Sequence, residues 1–122
     1  MGRWLRSKAT IVKINDNSFV HGGISKKFLE IPYNRDEINT IMSESIDIPE
    51  AELDSTGIAY HYFGDHGPVW YRGYFYDDLP KEEITDILSD IYSKRIVVGH
   101  CSNETVVAVS YTHLTLPTIC SV

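Results

Sequence analysis

Two histidines in this chain stand where an imidazole could bind a metal ion or a phosphate. His21 ends the apolar run Phe19–Val20 and precedes two glycines, and His100 ends the apolar run Ile96–Gly99. A histidine beside glycine at the end of a strand lies where the backbone allows a ligand to approach closely. One such histidine alone is more commonly structural. The hypothesis of a functional site therefore depends on the two histidines together.

An arginine in the aromatic run Pro68–Tyr74 completes a pattern that resembles a known family. Val-His-Gly-Gly at His21, Val-Gly-His at His100 and Arg72 between them are similar to the later half of the calcineurin-like metallophosphoesterases, in particular the serine/threonine-phosphatase-like branch. The resemblance implies that His21 and His100 bind one ion of a centre of two divalent metals, Mn, Fe or Zn. It also implies that Arg72 is the catalytic arginine that holds the phosphate in a two-pronged contact.

The motifs that open this family do not occur in the sequence. Gly-Asp-x-His-Gly, Gly-Asp-x-x-Asp-Arg-Gly and Gly-Asn-His-Glu are all absent. The resemblance therefore implies that residues 1–108 are the C-terminal part of a metallophosphoesterase domain whose N-terminal half is missing. Its fold would be α/β (α+β), a partial β-sandwich flanked by helices. We expect the parent protein to be a metallophosphatase, and this chain to bind at most one ion weakly and to be inactive alone.

The end of the chain has no counterpart in that family. The run Val109–Thr118 resembles the translation of a transposon-end adapter used to prepare sequencing libraries. We therefore expect residues 109–122 to be a non-native tail in which His113 and Cys120 carry no chemistry. The alternative is a genuine strand, because Val, Tyr, Thr and Leu are good strand formers.

Composition limits the class of partner. The chain has 122 residues, 43% of them hydrophobic, and a formal net charge of −6. That is enough for one domain with a modest core, and the acidic balance disfavours nucleic acid and anionic membranes. No apolar run approaches the roughly 20 residues of a membrane span. The expected partner is a phosphorylated substrate, either a phosphoprotein or a small phosphoester. The oligomeric state and the compartment are left open, with the cytoplasm slightly favoured.

Local patterns predict the elements that would position these residues. Turn residues at Asn15–Asn17 separate two short strand-like runs, which predicts a β-hairpin leading to His21. Ser25 is a suitable N-cap for a short helix. Helical spacing and a terminal proline predict further helices, and an apolar run predicts a buried strand before Gly99. These elements are a helix over Asp36–Ser43, a helix from Pro80 with Ile84, Ile87, Leu88 and Ile91 on one face, and a strand over Arg95–Val98.

The middle of the chain is the least regular part. Residues 45–60 are expected to be an irregular surface connection, followed by an aromatic loop. His61, Asp65 and His66 are interpreted as solvated loop residues. Trp70 and Tyr71 could either line a substrate groove or cover the sheet.

A second hypothesis assigns no catalysis to the chain. It would be a small non-catalytic α/β interaction domain in which His21 and His100 are structural. The phosphatase hypothesis requires both imidazoles and the Arg72 guanidinium to converge on one cleft. The interaction-domain hypothesis makes no such demand.

Overall fold

The fold is given by a computed structural model that describes residues 2–77 and 79–99 and, beyond them, four short strand segments. The helices are α1 (Gly2–Arg6), α2 (Arg35–Ser45), α3 (Ile58–Phe63), α4 (Gly73–Tyr76) and α5 (Lys81–Asp90), with 3-10 turns at Phe28–Glu30 and Glu50–Glu52. The strands are β1 (Ile11–Ile14), β2 (Asn17–Val20), β3 (Arg95–Val98), β4 (Val107–Ala108), β5 (Tyr111–His113), β6 (Leu116–Pro117) and β7 (Ile119–Ser121).

The sheet is mixed, and its register determines where the histidine motifs lie. β1 and β2 form the predicted antiparallel hairpin, whose turn places Asn15 at φ 55°, a left-handed conformation that asparagine tolerates. β2 runs parallel to β3 with Val20 opposite Val98, and the strand order is β1-β2-β3-β7-β4. The residues that follow β2 and β3 therefore emerge at the same edge of the sheet.

The α/β class is confirmed, but the predicted partial β-sandwich is wrong. The described strands form the five-stranded sheet and a separate β5-β6 pair, with helices packed on the sheet. A sandwich needs two sheets that bury facing sides against each other. Here the apolar side of the sheet is covered by helical residues instead.

The core is built from side chains of β1, β2, β3 and α2 to α5, and from a few residues of the loops between them. On α5, Ile84, Ile87 and Leu88 are buried at helical spacing, as the sequence pattern predicts. An amide from α2 also covers the edge of the sheet, because Asn39 accepts a hydrogen bond from the Ile11 N–H and donates one to the Ile11 carbonyl, each at 2.8 Å. Within the described part of the chain, the buried apolar side chains are Ile11, Val20, Ile24, Phe28, Ile38, Met42, Tyr62, Tyr71, Tyr74, Ile84, Ile87, Leu88, Ile91, Ile96 and Val98.

Most predicted elements are confirmed, and the middle of the chain is not. The helix predicted over Asp36–Ser43 is α2, and the strand predicted over Arg95–Val98 is β3. The segment predicted to be irregular contains the 3-10 turn Glu50–Glu52 and the start of α3, which continues into the predicted aromatic loop. No helix in the described ranges is both long and apolar enough to cross a membrane.

Candidate active site

The backbone brings the His21 motif close to Gly99 of the second motif, because β2 and β3 are parallel neighbours and end at the same side of the sheet. The Gly99 N–H donates a hydrogen bond of 3.1 Å to the carbonyl of His21, whose side chain is exposed. His100 lies outside the described residues, so its convergence with His21 stays a prediction.

The two glycines after His21 are required by close contact with a second segment. The N–H groups of Gly22 and Gly23 donate hydrogen bonds of 2.8 Å and 3.3 Å to the Pro68 carbonyl. A Cβ on Gly22 would lie 2.6 Å from the carbonyl oxygen of Val69, which is closer than real side chains approach a backbone oxygen. The His21 loop is therefore packed directly against the segment that leads to Arg72.

A buried tyrosine holds the next residue of this loop. The hydroxyl of Tyr74 accepts a hydrogen bond from the Ile24 N–H at 2.9 Å and donates one to the Ile24 carbonyl at 2.6 Å. Tyr71 packs edge-on against Tyr74, with ring centres 5.4 Å apart and planes at 88°. Burial raises the pKa of Tyr74, and burial raises the pKa of Tyr71 to about 12. Both hydroxyls therefore remain protonated at neutral pH.

The loop is tied down at its far end by a serine. The Ser25 hydroxyl accepts a hydrogen bond from the Phe28 N–H at 2.9 Å, just before the 3-10 turn Phe28–Glu30. The N-cap residue of that turn is Lys27, so the prediction of Ser25 as the N-cap of a helix is wrong in position. The same hydroxyl donates to the carbonyl of His66 at 2.8 Å. We call residues 21–25 packed against residues 66–74 the junction.

Arg72 lies in the junction with its guanidinium held by backbone carbonyls. Its Nη1 donates to the carbonyls of Val69 and Tyr71, each at 3.3 Å, and to that of Trp70. The guanidinium carbon lies 5.6 Å from the centre of the Trp70 ring, within range of a cation–π contact. The Val69 carbonyl also faces Gly22, so the structure places Arg72 beside the His21 loop.

This arrangement suits recognition of a tetrahedral anion. A guanidinium presents its donors in a planar fork that matches phosphate oxygens, and contacts along one side hold that plane in place. An imidazole at the same sheet edge can add a hydrogen bond. Of the three predicted site residues, the structure therefore brings together the loop of His21 and Arg72.

The histidines of the middle segment do not form a metal site with their neighbours. Among the described residues, no three His, Cys, Asp or Glu side chains are placed to hold an ion. His61 is wrongly predicted as a solvated loop residue, because it lies in α3, half-buried, and stacks on Phe28 at 6.2 Å between ring centres. Asp65 and His66 are exposed.

Of the two roles left open for Trp70 and Tyr71, packing is confirmed for Tyr71, and a role in a substrate groove stays a prediction for Trp70. Tyr71 is buried and packs under the loop, whereas Trp70 is 53% exposed beside Arg72. Sequence reasoning missed Tyr74 as the residue that clamps the His21 loop. Its place in the Trp-Tyr-Arg-Gly-Tyr run was visible, but its partner lies 50 residues earlier in the chain.

Comparison with known proteins identifies one group of similar structures. No family model and no curated protein matches the chain. The fold is similar to that of the cold-active protein tyrosine phosphatase of a psychrophilic Shewanella species, with a TM-score of 0.85 and 35% sequence identity over 98% of this chain. A point mutant of a cold-active protein tyrosine phosphatase gives a TM-score of 0.87, again with 35% identity over 98% of this chain. The chain covers only 35% of each of these proteins.

These findings correct the predicted family, function and cofactors. The similar structures are described as protein tyrosine phosphatases, not as calcineurin-like metallophosphoesterases, so the predicted recognition and the di-metal function are wrong. The two divalent metal ions were predicted only from the resemblance to that family, so this prediction is wrong as well. The described residues also supply no cluster of metal ligands. The non-catalytic interaction domain is not supported either, because the similar structures are phosphatases. Over nearly its whole length, the chain is similar to about a third of a cold-active protein tyrosine phosphatase.

Proposed function

We propose that this chain forms the phosphate-binding part of a phosphatase that acts on phosphorylated tyrosine in proteins. The observation that carries the proposal is the 35% identity and TM-score of 0.85–0.87 with protein tyrosine phosphatases over 98% of the chain. The reaction would break the bond between phosphorus and the tyrosine oxygen. Water would supply the oxygen that joins the phosphate and the proton that returns to the tyrosine.

Arg72 is the residue to which we assign phosphate binding. The carbonyls of Val69 and Tyr71 hold Nη1 and so set the plane of the guanidinium. A phosphate dianion would be bound across the fork, where a charged bidentate contact is stronger than a neutral hydrogen bond. His21, which follows the neighbouring strand β2, would donate a hydrogen bond to the same phosphate.

Binding is the first test, because the chain covers about a third of its structural relatives. We expect the 122-residue chain to bind a tyrosine-phosphorylated peptide at least about tenfold more tightly than the same peptide without phosphate, which corresponds to about 1.4 kcal/mol. Fluorescence anisotropy of a labelled peptide measures both affinities. Equal affinities would overturn the proposed function.

Substitution of Arg72 tests the assignment of the phosphate contact. Arg72→Lys keeps the charge but removes the fork, so the preference for the phosphorylated peptide should fall by about threefold to tenfold. The matched control is Arg95→Lys, since Arg95 starts β3 at the opposite edge of the sheet and donates to Asn17 at 3.2 Å. An equal loss in both variants would show a general charge effect and would contradict the role of Arg72.

Phosphate release tests the substrate class. The chain is incubated with peptides of one sequence that carry phosphotyrosine or phosphoserine, and released phosphate is measured by a colorimetric assay. The expected result is that any phosphate released comes from the phosphotyrosine peptide only and that this release is lost in Arg72→Ala. Release from the phosphoserine peptide at the same rate would overturn the assignment to tyrosine.

A further inference from the structure

A groove of about 930 Å³ opens beside the junction. Its walls come from the end of α2, the residues around the Glu50–Glu52 turn, α3 and residues 64–70. Four of its lining side chains are large, apolar or aromatic, and substantially exposed: Ile46 at 51%, Ile48 at 42%, Tyr60 at 38% and Trp70 at 53%. Exposed apolar side chains gathered along one concave surface are typical of binding sites.

Two contacts make the groove continuous with the junction. Trp70 lines the groove and also lies against the guanidinium of Arg72, with 5.6 Å between its ring centre and the guanidinium carbon. His66 lines the groove and accepts, through its carbonyl, the hydrogen bond from the Ser25 hydroxyl. A ligand whose phosphate is held at Arg72 would therefore continue into the groove past the face of Trp70.

The size and charge of the groove restrict what can occupy it. Its volume is at the upper end of the roughly 300–1,000 Å³ typical of ligand pockets, which is far more space than one phosphate group needs. Its charged lining residues have both signs, Lys27 against Glu50 and Asp65. Neither a strongly acidic nor a strongly basic segment is favoured by that balance, whereas apolar side chains can be buried against Ile46 and Ile48.

We propose that this groove binds the polypeptide segment next to the phosphorylated residue of the substrate, through apolar side chains of that segment. The inference rests on the proposed function and adds the substrate feature that would determine specificity. Trp70 marks the boundary between the phosphate contact and the peptide contact. Ile46 and Ile48 are specificity-determining residues, because they lie in the groove and make no part of the junction.

Peptide binding measured on the full chain tests the proposal. Two phosphotyrosine peptides are compared, one with leucines flanking the phosphotyrosine and one with serines. Trp4→Phe leaves Trp70 as the remaining one of the two tryptophans, so its fluorescence reports occupancy of the groove. We expect the leucine peptide to bind more tightly than the serine peptide. The double substitution Ile46→Ser and Ile48→Ser should lower the affinity for the leucine peptide by about fivefold to tenfold and change the affinity for the serine peptide little.

The control variant is Ile14→Ser. Ile14 is 55% exposed, close to the 51% of Ile46, but it lies in the hairpin and does not line the groove. Ile14→Ser should leave both affinities unchanged. If it weakens the leucine peptide as much as Ile46→Ser does, the groove is not the binding surface and the proposal is overturned.

The unphosphorylated leucine peptide separates failure of this inference from failure of the proposed function. If Ile46→Ser lowers the affinity for both the phosphorylated and the unphosphorylated leucine peptide, and phosphate adds no affinity, the groove is a peptide-binding surface but the proposed function is wrong. If phosphate adds affinity but flanking leucines and Ile46→Ser have no effect, the proposed function stands and the groove proposal fails. A second copy of the chain could also occupy the groove, and sedimentation equilibrium tests this. A dimer that is lost in Ile46→Ser would assign the groove to that second copy and overturn the peptide proposal.

Discussion

The junction and the groove are neighbours built on opposite principles. In the junction, Gly22 touches the backbone of Val69 and Tyr74 satisfies both backbone groups of Ile24. In the groove, Ile46 and Ile48 are 51% and 42% exposed. The first region is closely packed and hydrogen-bonded, and the second leaves apolar surface in contact with solvent.

This difference separates positioning from recognition. A residue such as Arg72 can present a fixed fork only if the backbone that carries it does not move, and the junction supplies that rigidity. Recognition of a variable polypeptide instead needs accessible apolar surface. Substitutions in the junction should therefore change stability, whereas substitutions in the groove should change affinity at nearly constant stability.

The largest effect is expected for Tyr74→Phe. The change removes one hydroxyl and leaves the N–H and the carbonyl of Ile24 buried without their partner. We expect a loss of about 2–4 kcal/mol in the free energy of unfolding. Urea denaturation measures it, with Tyr76→Phe as the control because Tyr76 is 77% exposed. A loss no larger than that of Tyr76→Phe would show that the junction is not the rigid region.

Gly22→Ala should follow. Its new Cβ would lie 2.6 Å from the Val69 oxygen and 2.9 Å from the Pro68 oxygen, so backbone must shift. We expect a loss of about 1–3 kcal/mol, measured from the urea midpoint at an unchanged slope.

Gly99 provides the matched control for that substitution. It directly follows the neighbouring strand β3, at the same end of the sheet, and a Cβ there would meet no atom of the described residues within 4 Å. Gly99→Ala should therefore be close to neutral. Equal losses at Gly22 and Gly99 would contradict the tight contact.

Alkaline pH should weaken the junction more gradually. Burial raises the pKa of Tyr74, and burial raises the pKa of Tyr71 to about 12, whereas an unfolded tyrosine ionises near about 10. The unfolded chain releases these protons first, so the stabilisation is complete below about pH 10 and is lost as pH rises toward 12. Urea titrations at pH 8, 10 and 11 measure the fall, which should be shallower in Tyr71→Phe. A flat profile would mean that these rings are hydrated.

The smallest effect is expected from removing residues 109–122. If the junction and the core of α2, α5 and β1–β3 carry most of the stability, and if the tail is non-native as its sequence suggests, deletion should change the free energy of unfolding by less than about 1 kcal/mol. In the structure Ile119–Ser121 pairs with β3, so deletion would also remove backbone hydrogen bonds of the sheet. A loss of several kcal/mol in the free energy of unfolding of the truncated chain would show that the tail stabilises the sheet and would contradict its interpretation as non-native.

The candidate site was predictable in part. The His21 motif and Arg72 were expected to approach each other, and the structure places them on either side of the Val69 carbonyl. The family inferred from those motifs was wrong. Short runs of histidine and glycine can arise from local geometry alone, and here the glycines after His21 are explained by the close approach of Pro68 and Val69.

The short helices show a second limit. α3 and α4 have six and four residues, too few for a periodic pattern to identify them. Helices of this length are not stable alone and form because burying Tyr62 and Tyr74 stabilises them. That stabilisation comes from the rest of the core.

Local side-chain order was sufficient for α2 and α5, whose apolar residues recur at helical spacing, for the hairpin, which has turn residues between its strands, and for β3, which is a nearly all-apolar run. Tertiary structure alone decided that the Tyr74 hydroxyl meets Ile24, that Gly22 meets Val69, and that Trp70 stays exposed at the mouth of a groove. The physical reason is distance along the chain. Contacts between residues about 50 positions apart depend on how the whole core packs, and no local pattern specifies that.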